Sequence, residues 1–201
     1  NNYFTTLENC SDLIRKKLKV NNEINYSNLR FYLEDQLQIK IQIVPQSVMV
    51  DVYSRNDPHR NRILLSESLR HSERVFQVSS QIALIEFHEE INKVIKRSNL
   101  IEEKEIYLLK ITLAGYFALS LMMPYNEFKD AANETRHDIN ILAGRFSVSF
   151  EQVCQRLTTL NKNNNKGIPF FFLKLPKLKL LLTAFLALSS VSCFFAISNF
   201  I

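Results

Sequence analysis

The amino-terminal part of the chain combines two helical patterns with a set of short strand patterns. Apolar residues recur every three or four positions in Leu7–Leu18 and Tyr26–Leu37, which predicts two amphipathic helices. Runs rich in β-branched residues predict three strands, at Ile39–Val44, Val48–Tyr53 and Arg62–Leu65. The polar segment Ser54–Asn61, which contains Asp57-Pro58, predicts a turn before the last strand. Short helices followed by short strands indicate an α+β fold.

The second half of the chain has the periodicity of successive helices. One pattern runs from about Ser72 to Arg97, apolar in its first half and charged in its second. Another runs from Glu102 to Met122 and stops before Pro124, which cannot occupy a helix interior. Three shorter helices are predicted after it, at Tyr125–Ala132, Arg136–Phe146 and Ser149–Leu160. The predicted architecture is therefore a small curled β-sheet packed on several helices.

The carboxyl-terminal end departs from this pattern. Residues 161–167 are predicted to be a polar linker of Asn, Lys and Gly, so that the folded domain spans residues 5–160. Residues 168–201 form a hydrophobic tail, and its stretch 180–201 carries no charge and follows several lysines. A helix of that length crosses a hydrocarbon core of roughly 30 Å, and the basic flank would hold the domain in the cytoplasm. Two interpretations stay open: a C-terminal membrane helix and a non-native hydrophobic end.

Composition narrows the possible functions only slightly. The net charge of +5 is mild and no dense basic stripe is present, so charge does not argue for nucleic-acid binding. Cys10, Cys154 and Cys193 are far apart and lack metal-binding spacing, which predicts free thiols in a reducing compartment. No apolar signal segment is visible near Asn1. We expect a cytoplasmic protein, with membrane anchoring through residues 180–201 as the alternative.

Several blocks of sequence carry a family resemblance. Leu113–Pro124 reads LAGYFALSLMMP and Asp138–Ser149 reads DINILAGRFSVS. Both blocks resemble the core of ImmA/IrrE-type metallopeptidase domains, also called IrrE N-terminal-like domains. The segments Phe76-Gln77, Phe150–Leu160 and Gly167–Phe172 resemble the branch of short-chain fatty acyl transcriptional regulators of bacteria. The resemblance covers about residues 5–173 and implies a zincin-like core, with a helix-turn-helix DNA reader expected upstream of residue 1.

The segment that decides whether such a domain is an enzyme lies between Phe76 and Leu84. Active members of the family that the chain resembles carry His-Glu-x-x-His here. Two histidines on one helix face then hold zinc, and the Glu is the general base. The corresponding positions in this sequence are Ser80, Gln81 and Leu84, and the third ligand position is Ile111. Because these side chains supply neither a zinc ligand nor a base, the resemblance implies a lost metal site, no cofactor and no catalysis.

Two other segments imitate functional motifs. His88–Asn92 reads HEEIN, an incomplete and shifted zinc motif that a solvated helix face explains better. Ile141–Leu157 has helix-turn-helix spacing, and its second helix is predicted to expose Glu151, Gln152, Gln155 and Arg156. A single basic residue is a weak means of approaching phosphates, so DNA binding by this chain alone is not expected.

The favoured function is a non-catalytic sensor or regulatory domain in which the former peptidase cleft holds a small metabolite. The residues predicted to line that cleft are Val78, Ser80, Gln81, Leu84, Phe117, Ala118 and Leu121. Ser80 and Gln81 could hydrogen-bond a carbonyl and the apolar residues could pack an acyl chain, although all seven would equally suit a core. The resemblance implies a short-chain acyl-coenzyme A as the ligand class. The alternatives are a membrane-anchored interaction protein and an inactive, truncated remnant of a longer regulator.

Overall fold

The computed structural model describes residues 2–20, 23–49, 52–173 and 194–197. Its helices are α1 (Thr5–Leu18), α2 (Tyr26–Phe31), α3 (Gln46–Met49), α4 (His71–Glu86), α5 (His88–Lys96), α6 (Glu103–Met122), α7 (Tyr125–Glu134), α8 (Ile139–Arg145) and α9 (Phe150–Leu157). Its strands are β1 (Lys40–Val44), β2 (Ser54–Asp57), β3 (Arg62–Ser66), β4 (Phe170–Leu173) and β5 (Phe194–Ile197). This arrangement confirms the predicted mixed α+β class.

The three-stranded sheet has the order β1-β3-β2 and packs against α4. β1 runs parallel to β3, with Ile43 opposite Leu65, and β2 runs antiparallel to it, with Ser54 opposite the same leucine. Ile63 and Leu65 on the central strand are fully buried. Because β2 is an edge strand of this sheet, one of its sides faces away from β3 and borders the cleft described below.

The second strand lies later in the chain than the hydrophobic pattern predicts. The prediction of a strand at Val48–Tyr53 is wrong, because α3 is a helical turn and β2 occupies the first half of the predicted turn segment. The chain reverses through a single 3₁₀ turn at Pro58–Arg60. Val48 and Tyr53, at the two ends of the predicted strand, are more than half exposed, so their apolar side chains do not mark a buried strand. β2 is instead an edge strand held by backbone pairing, which does not need apolar side chains.

The single helix predicted over Ser72–Arg97 consists of two helices, α4 and α5, which meet at Phe87. Phe87 leaves the helical conformation (φ −115°, ψ 28°), and its buried ring centroid lies 5.3 Å from that of Phe117 on α6. The break lets both helices pack on α6. The other predicted helices are confirmed with shifted ends, and α2 continues into a π-helical turn at Tyr32–Gln36.

α6 is the central helix of the fold. Its second half is buried against α1, α4 and α9, and Leu113, Phe117 and Leu121 are fully buried. Among the helices that the structure describes, α6 is the one that is long and apolar enough to cross a membrane by length and composition. Half of that stretch is buried inside the domain. Its apolar sequence is therefore explained by its place in the core.

The tail region shows one difference from prediction. Within the predicted C-terminal helix 180–201, residues 194–197 form β5, which pairs in parallel with β4. Residues 180–193 and 198–201 lie outside the part of the chain that the structure describes, as does Cys193. The predicted linker 161–167 contacts α7, because Tyr125 donates a hydrogen bond to the carbonyl oxygen of Asn165 (2.9 Å). The domain boundaries at 160 and 167 remain predictions.

Candidate functional site

A cleft of about 1230 Å³ lies between the edge of the sheet and the two long helices α4 and α6. α4 contributes Phe76, Gln77, Ser80, Gln81 and Leu84. The opposite walls come from residues 52–56, which include most of β2, and from residues 107–116 and Leu119 of α6. The rest of the lining comes from the ends of two further helices: Asn2 and Phe4 before α1, Gln155 on α9, and Thr158 and Thr159 after it. The cleft therefore joins elements that are distant in the sequence.

The four positions at which the resemblance implies a lost metal site all line this cleft. Ser80, Gln81 and Leu84 lie on one face of α4, and Ile111 lies on α6. Ser80 and Gln81 are buried, whereas Ile111 is 44% exposed. The hydroxyl of Ser80 is occupied within its own helix, because it donates to the carbonyl oxygen of Phe76 (3.0 Å).

Gln81 belongs to a chain of neutral hydrogen bonds between α4 and β2. Its Nε2 donates to Oγ of Ser54 (3.1 Å), and the Ser54 hydroxyl donates to Oε1 of Gln77 (2.8 Å). One amide hydrogen of Gln81 is used in the bond to Ser54. Its second amide hydrogen can donate to another partner, and its carbonyl oxygen can accept. We refer to Gln77, Gln81 and Ser54 as the polar relay. All three residues line the cleft, so the relay can offer a ligand both donors and an acceptor.

The residues present do not fit a zinc ion. Zinc sites in proteins use imidazole, thiolate or carboxylate ligands, and these four positions hold a hydroxyl, an amide and two aliphatic side chains. In the described part of the chain no group of three or more His, Cys, Asp and Glu residues is placed to hold a metal. His88 and Asn92 of the imitated zinc motif are exposed on α5, away from the cleft lining. No chemical step is therefore assigned to a metal.

Four of the seven residues predicted to line the cleft lie deeper, in the core of the domain. Ser80, Gln81 and Leu84 line the cleft, whereas Val78, Phe117, Ala118 and Leu121 are fully buried in the core and do not line it. Val78 points away from the face of α4 formed by residues 76, 77, 80, 81 and 84. The other three belong to the half of α6 that is covered on every side.

A buried ion pair lies beside the cleft. The guanidinium of Arg156 on α9 donates two hydrogen bonds to the carboxylate of Glu8 on α1, at 2.7 and 3.0 Å. Tyr116, which lines the cleft, donates its hydroxyl hydrogen to the same carboxylate (2.6 Å) and accepts from the backbone N–H of Phe4 (3.2 Å). Arg156 also donates from Nε to the carbonyl oxygen of Met123 (2.9 Å). This network joins α1, α6 and α9 behind the cleft.

Burial and the charge of Glu8 both affect the pKa values of Tyr116 and Arg156. Burial, and after it the negative charge of Glu8, raises the pKa of Tyr116, which therefore keeps its hydroxyl hydrogen at any physiological pH. Burial opposes the charge of Arg156, but the carboxylate of Glu8 and the hydrogen bond to it outweigh that penalty, and the pKa of Arg156 is raised. The guanidinium of Arg156 therefore keeps its charge, and Tyr116 stays neutral.

Arg156 corrects the interpretation of α9 as an exposed recognition helix. Arg156 and Gln152 are buried, and Gln152 caps its own helix through Ser149. Of the four side chains predicted at the surface, the structure leaves Glu151 and Gln155 half-buried, and Gln155 lines the cleft. No local sequence signal marks Arg156 as buried, because its partner Glu8 lies 148 positions away.

Comparison with known proteins gives one family. A model of the IrrE N-terminal-like domain matches residues 34–158. The chain is 35% identical over 123 residues to the HTH-type transcriptional regulator PrpR of Mycobacterium tuberculosis, a match that covers 61% of this chain and 25% of that protein. It is 44% identical over 101 residues to the propionyl-CoA carboxylase regulator of Cereibacter sphaeroides, which covers 49% and 22% of the two proteins.

A solved structure agrees with these matches. A Mycobacterium tuberculosis transcriptional regulator superposes with a TM-score of 0.76 at 28% sequence identity, over 83% of this chain and 50% of that chain. This chain spans about a quarter of the length of the curated relatives that it matches. The predicted resemblance is confirmed: the chain belongs to the family of IrrE N-terminal-like domains, and its relatives are transcriptional regulators.

Proposed function

We propose that this chain is a non-catalytic regulatory domain whose cleft binds a small metabolite in place of a peptide substrate. The observation that supports it most is the polar relay. At the position where a zincin-like core would hold its metal and base, Gln81 is hydrogen-bonded to Ser54 and through it to Gln77. An amide takes no proton from water at neutral pH, so this wall can orient a ligand but cannot activate a nucleophile.

The proposed ligand is a short-chain acyl-coenzyme A. One relative is named a propionyl-CoA carboxylase regulator, which supports a regulator that responds to acyl-CoA metabolism. The donors and acceptor of the relay suit a thioester carbonyl or an amide, and Phe76, Leu84 and Leu113 supply apolar contact for an acyl chain. The volume of about 1230 Å³ exceeds the roughly 300–1,000 Å³ of pockets for drug-sized ligands, so it accommodates far more than the acyl group alone.

The proposed role is part of a longer regulatory activity. Because the chain spans about a quarter of its curated relatives, we assign DNA reading to a different segment of such a regulator. The α8–α9 pair does not suit that task, since the arginine of its second helix is buried in an ion pair. The proposed location is the cytoplasm, where acyl-coenzyme A and DNA are both accessible.

Isothermal titration of propionyl-coenzyme A into the wild-type chain and the Gln81→Leu variant tests this proposal. We expect saturable binding by the wild type and roughly tenfold weaker binding by Gln81→Leu, because one buried hydrogen-bonding partner is lost. The matched control is Ser79→Ala. Ser79 lies on the same helix but outside the cleft, and its buried hydroxyl has no hydrogen-bond partner among the residues that the structure describes. It should bind like the wild type. Absence of wild-type binding, or equal losses in both variants, would contradict the proposal.

A further inference from the structure

The cleft has an unusual charge content for a peptidase-like site. Among the described residues that line it there is no Asp, Glu or His, and the two that carry full charges are both cations, Arg55 on β2 and Lys110 on α6. None of the ion pairs in the described part of the chain involves either side chain. The lining therefore carries an uncompensated positive charge, which favours an anionic ligand.

The two cations lie at the open part of the cleft. Along α6 the lining changes from exposed to buried: Tyr107 is 63% exposed, whereas Leu113 is fully buried and Leu119 nearly so. Lys110 belongs to the outer, half-buried stretch, and Arg55 is exposed on the edge strand. The buried stretch of the lining is mostly apolar. The cleft thus offers positive charge near solvent and apolar surface inside.

We propose that Arg55 and Lys110 form an anion subsite, and that the ligand binds in one orientation. Its uncharged end lies against the buried stretch of α6, and its phosphate groups lie between the two cations. A guanidinium on a strand and an ammonium on a facing helix suit several phosphate oxygens spread over one extended ligand. This inference rests on the proposed function and adds to it which end of the ligand enters the cleft and which residues select a phosphorylated molecule.

Two probes with the same acyl end distinguish the subsite from the rest of the cleft. Propionyl-coenzyme A carries phosphates, whereas S-propionyl-pantetheine has the same thioester and amide groups without them. We would titrate both into the wild-type chain, Arg55→Gln, Lys110→Gln and the double variant. Arg60→Gln and Lys104→Gln are matched controls, because both side chains are exposed, on the loop after β2 and on α6, and do not line the cleft.

The expected result is selective. Each cleft variant should bind propionyl-coenzyme A roughly five- to tenfold more weakly than the wild type at low salt, because one charge-assisted contact to phosphate is lost. Binding of S-propionyl-pantetheine should change less than about twofold. The double variant should also lose most of the salt dependence of coenzyme A binding. The control variants should match the wild type with both probes.

Other outcomes separate the two proposals. If the wild type binds both probes with equal affinity, the anion subsite is wrong while the proposed function stands. Equal losses for both probes in the cleft variants would also overturn the subsite, because the cations would then act on the shape of the cleft. If the wild type binds neither probe, the proposed function fails and the subsite fails with it.

Discussion

Replacing Glu8 by alanine is expected to lower the free energy of unfolding by about 3–5 kcal/mol, the usual cost of breaking a buried ion pair from one side. Arg156 is fully buried, and without Glu8 its guanidinium keeps hydrogen bonds to Thr159 and to the carbonyl oxygen of Met123 and lies over the rings of Tyr116 and Tyr125, none of which carries a compensating charge. Tyr116 loses the acceptor of its hydroxyl hydrogen as well. Urea unfolding followed by circular dichroism measures the change.

The matched control is an exposed pair of the same chemistry. Arg145 and Glu134 lie 2.6 Å apart with both side chains more than half exposed, so Glu134→Ala should cost less than about 1 kcal/mol. The double variant Glu8→Met with Arg156→Met removes both charges and should recover a large part of the loss of Glu8→Ala, since no buried charge remains. Equal costs for Glu8→Ala and Glu134→Ala would show that the pair is not buried in solution.

Substituting four residues that line the cleft should convert this chain into a zinc protein. The four substitutions are Ser80→His, Gln81→Glu, Leu84→His and Ile111→Glu, and they restore two histidines on one face of α4 with a carboxylate facing them from α6. We expect one zinc ion per chain with a dissociation constant on the order of micromolar or lower. Metal analysis after dialysis and a zinc titration measure this, and the wild type should retain no metal.

The imitated zinc motif provides the control for this experiment. Asn92→His completes His-Glu-x-x-His at residues 88–92, but both histidines lie on the exposed face of α5 and no third ligand from another element is assigned to them. We expect zinc binding at least about 100-fold weaker than in the four-residue variant, because two ligands on one exposed helix leave the coordination to water. Equal affinity of the two variants would mean that Ser80, Leu84 and Ile111 do not converge as a metal site.

The helices could be predicted from the sequence where one face is apolar and the other polar. α1, α7 and α9 have that pattern, and their predicted positions are confirmed. The second half of α6 is apolar on every side, so periodicity does not indicate which residues face the cleft. The predicted lining is therefore wrong at Phe117, Ala118 and Leu121, which are core. The edge strand β2 could not be predicted from hydrophobic patterning, because it is held by backbone pairing with β3 and not by apolar side chains.

The candidate site depends on long-range contacts that local patterns cannot reveal. The resemblance identified Ser80, Gln81, Leu84 and Ile111, and these residues do line one cleft. Nothing in the sequence indicates that Ser54 connects Gln77 with Gln81, because residues 54 and 81 are separated by a strand, a turn and half a helix. The same holds for Arg55, whose place beside the cleft follows from the sheet order.

The most direct measurement is thermal unfolding of the whole chain with no addition, with propionyl-coenzyme A and with zinc. A ligand that binds the folded state raises the unfolding temperature with its concentration, by about 2.7 kcal/mol of added stability at 100 times its dissociation constant. We predict a cooperative transition that rises with propionyl-coenzyme A and does not respond to zinc. A transition that rises with zinc alone, or one that responds to neither, would contradict a metal-free ligand-binding domain.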